Sequence, residues 1–298
     1  MNNPSSIHPT VLTQLTPAMG WHGSLQLEFA HDSRGTHLNR SYVQAPLKVQ
    51  RPFYPEGTEV CHLVTLHTAG GVVGGDRLSL DITLDPHAHA LITTAAAGKV
   101  YRSNGQTAQQ TVQIHVAESA CLEWLPQESI VFDGAHYQQN VRIDLAENAL
   151  WMGWELTRLG RTARGEQFLS GVWRSHTQVW QNNQPIWIDP QRVEGGSEML
   201  TSLHGLASCP VVGSFAVIGR SLDPELVEKA RSLWQPGTGA INRVSSSPPQ
   251  IGVTRLTAGL LCRYRGHSTL EARRWFTQVW HLMRQEVLNR PGCNPRVW

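Results

Sequence analysis

Between residues 25 and 193 the chain reads as one short strand after another, and no helical period interrupts the series. Alternating or compact apolar runs occupy 25–29, 41–49, 60–68, 78–84, 88–94, 110–118, 120–125, 137–146, 150–159, 171–180 and 185–193. Turn signals such as Asp32-Ser33-Arg34-Gly35 and Asp85-Pro86 fall between them at hairpin-like intervals. So many strands in succession predict a mainly β fold of stacked or wrapped antiparallel sheets and exclude a doubly wound α/β fold.

Helical signals come only late. Asp223-Pro224-Glu225 supplies a cap and a first-turn proline ahead of an apolar face made by Leu226, Ala230 and Leu233. Ser268-Thr269-Leu270-Glu271 is a capping box, followed at helical spacing by Phe276, Val279, Trp280, Met283 and Val287 until Asn289-Arg290-Pro291-Gly292 stops the helix. Between the two helices, 252–256 and 260–264 suggest a hairpin, so the C-terminal part should form a small α+β portion covering one side or end of the β body. The expected organisation is a mobile tail over 1–20 and one domain over 21–298, with a β body at about 21–219 and the α+β portion at about 220–298. No internal repeat is visible.

Composition narrows the function classes. The 298 residues bury a full core without disulfides or structural metal. A formal charge of +2 with no block of like charges points to neither nucleic acid nor an anionic membrane as partner. No apolar run approaches the roughly 20 residues that span a bilayer. Cys61, Cys121, Cys209, Cys262 and Cys293 are widely spaced and contain no Cys-x-x-Cys, which excludes a disulfide framework or zinc knuckle and suggests a reducing cytoplasm.

Candidate chemistry is sparse. In Gly70-Gly71-Val72-Val73-Gly74-Gly75-Asp76, two glycine pairs bracket a β-branched pair, as in a strand that bends sharply at each end. A strand, not a helix, follows, so a phosphate cradle is disfavoured. Asp76 should stand at a strand entrance, facing a cavity. His87 and His89 lie two apart in an expected strand, which would aim both imidazoles to one face as a candidate metal pair. Neither a Gly-x-Ser-x-Gly elbow nor His-Glu-x-x-His occurs. The acids Asp76, Glu123, Glu128, Asp133, Glu155, Glu166 and Asp189 are scattered, and each alone reads as a solvated surface group. Eleven tryptophans invite a carbohydrate-binding or carbohydrate-processing reading, against which stands their use as filler between sheets.

Ordered motifs carry the reading further. They are Val49-Gln50-Arg51-Pro52-Phe53-Tyr54-Pro55-Glu56, the glycine motif from Leu66 to Asp76, Lys99-Val100-Tyr101-Arg102-Ser103 and Leu122-Glu123-Trp124-Leu125-Pro126-Gln127-Glu128. Leu159-Gly160-Arg161 with Gly165-Glu166 and the closing Pro295-Arg296-Val297-Trp298 complete the set, and together they resemble the urease accessory protein UreD (UreH) family. The resemblance implies a mainly β nickel-delivery chaperone, not an enzyme, with no tightly bound cofactor and nickel only in transit. Its implied partners are UreF, the GTPase UreG and the urease apoprotein. It also implies a carboxylate-lined nickel passage, for which Asp76, Glu155 and Asp189 are the candidates. Physically, such a passage calls for weak successive oxygen ligands, because a tight thiolate site would trap the ion. The polar face of the last helix, with Arg273, Arg274, Gln278, His281, Arg284 and Gln285, is the candidate surface for UreF.

Overall fold

The computed structural model describes residues 20–235 and 247–298, so the tail expected at 1–20 lies outside the described residues except for Gly20. In chain order the first strands are β1 (His22–Asp32), β2 (Gly35–Gln44), β3 (Leu47–Val49), β4 (Cys61–His67), β5 (Arg77–Leu84), β6 (His89–Thr94), β7 (Gly98–Val100), β8 (Ala108–Val116) and β9 (Cys121–Trp124). They continue as β10 (Ser129–Val131), β11 (His136–Leu145), β12 (Leu150–Leu159), β13 (Val172–Gln181), β14 (Gln184–Glu194) and β15 (Val211–Ile218), then β16 (Gln250–Leu256) and β17 (Gly259–Gly266). Helices α1 (Pro224–Ser232) and α2 (Thr269–Leu288) make the fold mainly β with two late helices, as the sequence predicts.

The strands form two facing sheets. A seven-stranded sheet runs β14-β13-β11-β8-β5-β1-β2, and a ten-stranded sheet runs β16-β17-β15-β12-β9-β6-β4-β3 with β7 and β10 attached beside β12. The expectation of antiparallel sheets needs correction at their centres. β1, β5, β8, β11 and β13 are parallel neighbours in one sheet, and β4, β6, β9 and β12 in the other. Antiparallel pairs are confined to the flanks, such as β13 with β14 and β15 with β17.

Three short arches cause this. At 85–88, 117–120 and 146–149 the third residue takes a left-handed conformation, with φ of 64° at His87, 57° at Ser119 and 56° at Asn148. In each, the last amide donates to the first carbonyl, as from Ala88 to Asp85 at 3.1 Å and from Ala120 to Ala117 at 3.1 Å. Each arch carries the chain into the opposite sheet instead of back along the same one, so the next return lies beside the previous strand and parallel to it. The strand–arch–strand unit recurs in the fold without a repeat in the sequence. Period-2 alternation marks which face is buried and says nothing about which strand is the neighbour, so a hairpin and an arch look alike in sequence.

The inter-sheet core holds Leu25, Leu27 and Phe29 of β1, with Leu80, Ile82 and Leu84 of β5, facing residues such as Leu63, Leu122 and Trp151. A second core joins the outer face of the ten-stranded sheet, through Leu150, Met152, Trp154 and Phe215, to Trp275, Phe276, Val279, Trp280 and Met283 of α2. α2 begins where Ser268 Oγ accepts the Glu271 amide at 3.2 Å and ends at Asn289 with φ 52°. The β16–β17 hairpin pairs with β15 and extends the large sheet; it does not make a layer of its own. β15 escaped the sequence reading because it is buried on both faces and shows no alternation.

Candidate functional site

The motif loops meet at one end of the sandwich. Val72 donates its amide to the Lys99 carbonyl at 2.8 Å, Tyr101 donates back to the Val72 carbonyl at 2.8 Å, and the Tyr101 hydroxyl reaches the Gly70 carbonyl at 3.0 Å. A Cβ on Gly71 would lie 2.6 Å from the Lys99 oxygen and one on Gly74 2.7 Å from the Gln106 oxygen, so these glycines let two backbones touch. Gly75 at φ 93° makes the last bend. Beside them, Arg102 pairs with Asp133, and Glu166 accepts the Asp133 amide at 3.1 Å while pairing with Arg161. Lys99 and Arg102 are exposed.

From these loops a cavity of about 290 Å³ runs inward between the sheets. Gly70, Gly71, Gly98, Gln127 and Ser129 line it beside the motif loops, and Tyr137, Gln139, Glu155, Thr177, Asp189 and Ser214 add polar groups among apolar side chains such as Leu80, Val112 and Trp151. Strand register assembles these polar groups, because Glu155 sits opposite Ser214 on β12 and β15, and Thr177 opposite Asp189 on β13 and β14. Trp151 folds over Gly153, where a Cβ would come within 2.2 Å of its ring. The structure thus brings Glu155 and Asp189 together in one cavity.

Their surroundings differ. Glu155 accepts from Ser175 Oγ at 2.6 Å, and no cation is in hydrogen-bonding contact with it among the described residues. Burial, helped by the negative charge of Asp189 and resisted by the Ser175 hydrogen bond, pushes its carboxyl up to about 7. Burial together with the Glu155 charge pushes the Tyr137 phenol up as well. Asp189 is 7% exposed and pairs with Arg263, which also donates to Ser214 at 2.7 Å; Gln191 donates to the other Asp189 oxygen at 3.0 Å.

Other candidates are placed differently. Asp76 is buried and does not line the cavity; its two oxygens accept the Trp21 and Val73 amides, each at 2.9 Å. The expectation that it faces a cavity is corrected, because its carboxylate closes the glycine turn. His87 lies exposed in an arch while His89 is buried in β6, so the pair shares no face. His89 instead meets Glu123 at 2.6 Å. Burial pulls its pKa down, but Cys121 and Glu123 outweigh that and hold it at about 10.

Arg284 is fully buried and not on a polar surface, paired with Glu56 at 2.6 Å and Glu123 at 3.6 Å. Arg273 is tied to Gln127 and Glu128, which leaves Arg274 as the exposed member of that pair. Of the remaining motif residues, Arg51 and Tyr54 are exposed and Pro52 partly so. Phe53 packs edge-on against His62 beneath Arg296. Pro126 accepts the Trp154 indole at 2.7 Å.

Trp124, Trp151, Trp154, Trp173, Trp275 and Trp280 are all buried, and Trp21 is the mostly exposed tryptophan among the described residues. The sugar-stacking reading therefore loses its surface. Sequence reasoning missed Ser175, Thr177, Tyr137 and Arg263; the first three alternate inward on β11 and β13, a pattern that marks an interior position without showing that it borders a cavity.

Comparison with known proteins is consistent over nearly the whole chain. Residues 22–298 match the family described as UreD urease accessory protein. A urease accessory protein UreD of Nostoc punctiforme is 56% identical over 281 residues, covering 94% of this chain and 97% of its own. That of Acaryochloris marina is 54% identical over 278 residues, 93% of this chain and 95% of its own. That of Synechocystis is 43% identical over 266 residues, 89% of this chain and 96% of its own.

Proposed function

The chain belongs to the UreD family of urease accessory proteins, and on that premise we propose that it is a nickel-insertion chaperone without catalysis of its own. In this reading it binds the urease apoprotein, assembles with UreF and UreG, and lets nickel pass through the cavity between its two sheets. The observation that carries the reading is the pair of oxygen donors inside that cavity, Glu155 and Asp189. A carboxyl held at about 7 is half ionised near neutrality, so an arriving divalent cation displaces a proton at little cost. Asp189, already held by Arg263, offers only a shared oxygen. Both features favour weak binding and onward transfer over capture.

Glu155→Gln and Asp189→Asn test the passage. Urease matured with each variant should carry several-fold less nickel, while the variant still co-purifies with the apoprotein, and excess nickel should restore part of the loading. Normal nickel content with both variants would overturn the passage; lost co-purification would move the two acids to an assembly role.

A further inference from the structure

We propose that Glu56, His62 and Cys293 form a three-ligand site for a borderline divalent cation such as Ni²⁺, Co²⁺ or Zn²⁺, on the helix side of the ten-stranded sheet and apart from the cavity. One donor atom from each of the three residues lies within 4.8 Å of the other two. His62 is fully buried on β4, between Cys61 and Leu63, whose side chains enter the inter-sheet core, so its ring turns to the opposite face. Cys293 arrives on the segment that follows α2. That segment is pinned by the Arg290 amide on the Arg284 carbonyl at 3.1 Å, by His281 to Asn294 at 2.8 Å and by the Trp298 indole on Thr93 at 3.1 Å.

The state of His62 points to a ligand. Glu56 Oε1 lies 2.7 Å from His62 Nε2 and, as a carboxylate, accepts a hydrogen bond from it, so that in the neutral ring the lone pair sits on Nδ1. That buried Nδ1 has no hydrogen-bond partner among the described residues. A carboxylate orienting one imidazole nitrogen while the other lacks a partner is the usual arrangement around a metal-binding histidine. A cation held by all three donors takes Nε2 in place of its proton, or takes Nδ1 once the Glu56 carboxylate has left Nε2, and in both cases Glu56 serves as a ligand.

The donor set fixes the class of ion. One oxygen, one imidazole nitrogen and one sulfur suit the borderline transition metals and not Ca²⁺ or Mg²⁺, which require oxygen shells. Burial and the charges of Glu56 and Glu123 push the Cys293 thiol up, against the pull of Arg284, so the metal-free residue is a thiol. On binding, its S–H bond is replaced by an S–metal bond and the proton leaves to solvent. The Arg284 guanidinium on Glu56 Oε2, at 2.6 Å, weakens the attraction for a cation. With three protein ligands and two of them, Glu56 and Cys293, not fully buried, the site keeps a path for exchange.

The test uses the untagged full chain titrated with CoCl₂ or NiCl₂. The wild type should develop a thiolate-to-metal charge-transfer band in the near ultraviolet, and the metal should slow alkylation of Cys293. Cys293→Ser should abolish the band and weaken that binding event by about tenfold or more, whereas Cys209→Ser should leave both unchanged. Absence of a thiolate band in the wild type, or its persistence in Cys293→Ser, would overturn the site. Urease activation is not read in this experiment, so the result stands or falls apart from passage through the cavity.

Discussion

Glu155→Gln carries a stability signature that follows from the cavity. Its folded carboxyl is held at about 7, against an ordinary value of 4.5. Between these pH values the unfolded chain has released a proton that the folded chain keeps, so rising pH draws the equilibrium towards unfolding. A raised acid therefore contributes a loss of stability that grows from about pH 4.5 to about pH 7 and then stays constant. Integrated at about 1.4 kcal/mol per pH unit, the loss between pH 5 and pH 8 is about 2.5 kcal/mol. The amide in Glu155→Gln has no proton to release and still offers an oxygen to the Ser175 hydroxyl. Urea unfolding followed by tryptophan fluorescence, performed on both proteins at each pH, should show the variant gaining on the wild type by about that amount between pH 5 and pH 8. Other titrating groups, including His89 at about 10, are common to both proteins and cancel in the difference. A difference constant to within about 0.5 kcal/mol across the range would refute the reasoning, since it would mean that Glu155 titrates alike in both states.

Two further substitutions test the structural roles of other acids. In Asp76→Asn one of the two backbone amides now bound by the carboxylate loses its acceptor, so unfolding free energy should fall by about 1–2 kcal/mol, and an unchanged urea midpoint would remove Asp76 from the turn-capping role. Arg284→Met strips the guanidinium from Glu56 and Glu123, and the uncompensated charge should cost about 3–5 kcal/mol, read as a lowered melting temperature and partly recovered when Glu123→Gln is added; an additive double mutant would contradict the pairing.

The sequence made the strands and helices legible because each signal is local. Residues 150–159 alternate as a strand and are β12; the capping box at Ser268 and the stop at Asn289 bound α2 where expected. What could not be read is what non-local pairing decides. Asp85-Pro86 reads as a hairpin-like turn, and only the neighbour of the following strand shows it to be an arch. Arg284 falls on the polar side of a helical wheel, but Glu56 reaches it across 228 positions of sequence and makes the interior its better environment. Asp189 could be guessed as an acid of the passage from the family motifs; its Arg263 partner, from a different strand, could not. Gly70, Gly71 and Gln127 of the family motifs line the cavity, and the approach of the Lys99 carbonyl leaves no room for a side chain at Gly71.

Whether a buried acid serves the fold or a cation is settled by what already satisfies it. Asp76 has both oxygens on backbone amides, and Glu123 is held by His89, Arg284 and the Trp280 indole, whose combined pull outweighs burial and lowers its pKa. Asp189 has Arg263. Glu155 has only hydroxyl donors, and burial, helped by the negative charge of Asp189, raises its pKa. The same burial that lowers the occupancy of its charged form raises the energy released when a cation replaces the proton, because the charge it meets is poorly solvated. On the proposed passage, Glu155 is therefore the one of the four at which an incoming divalent ion would gain most, and the ease with which a proton takes its place again near neutral pH would let the ion leave.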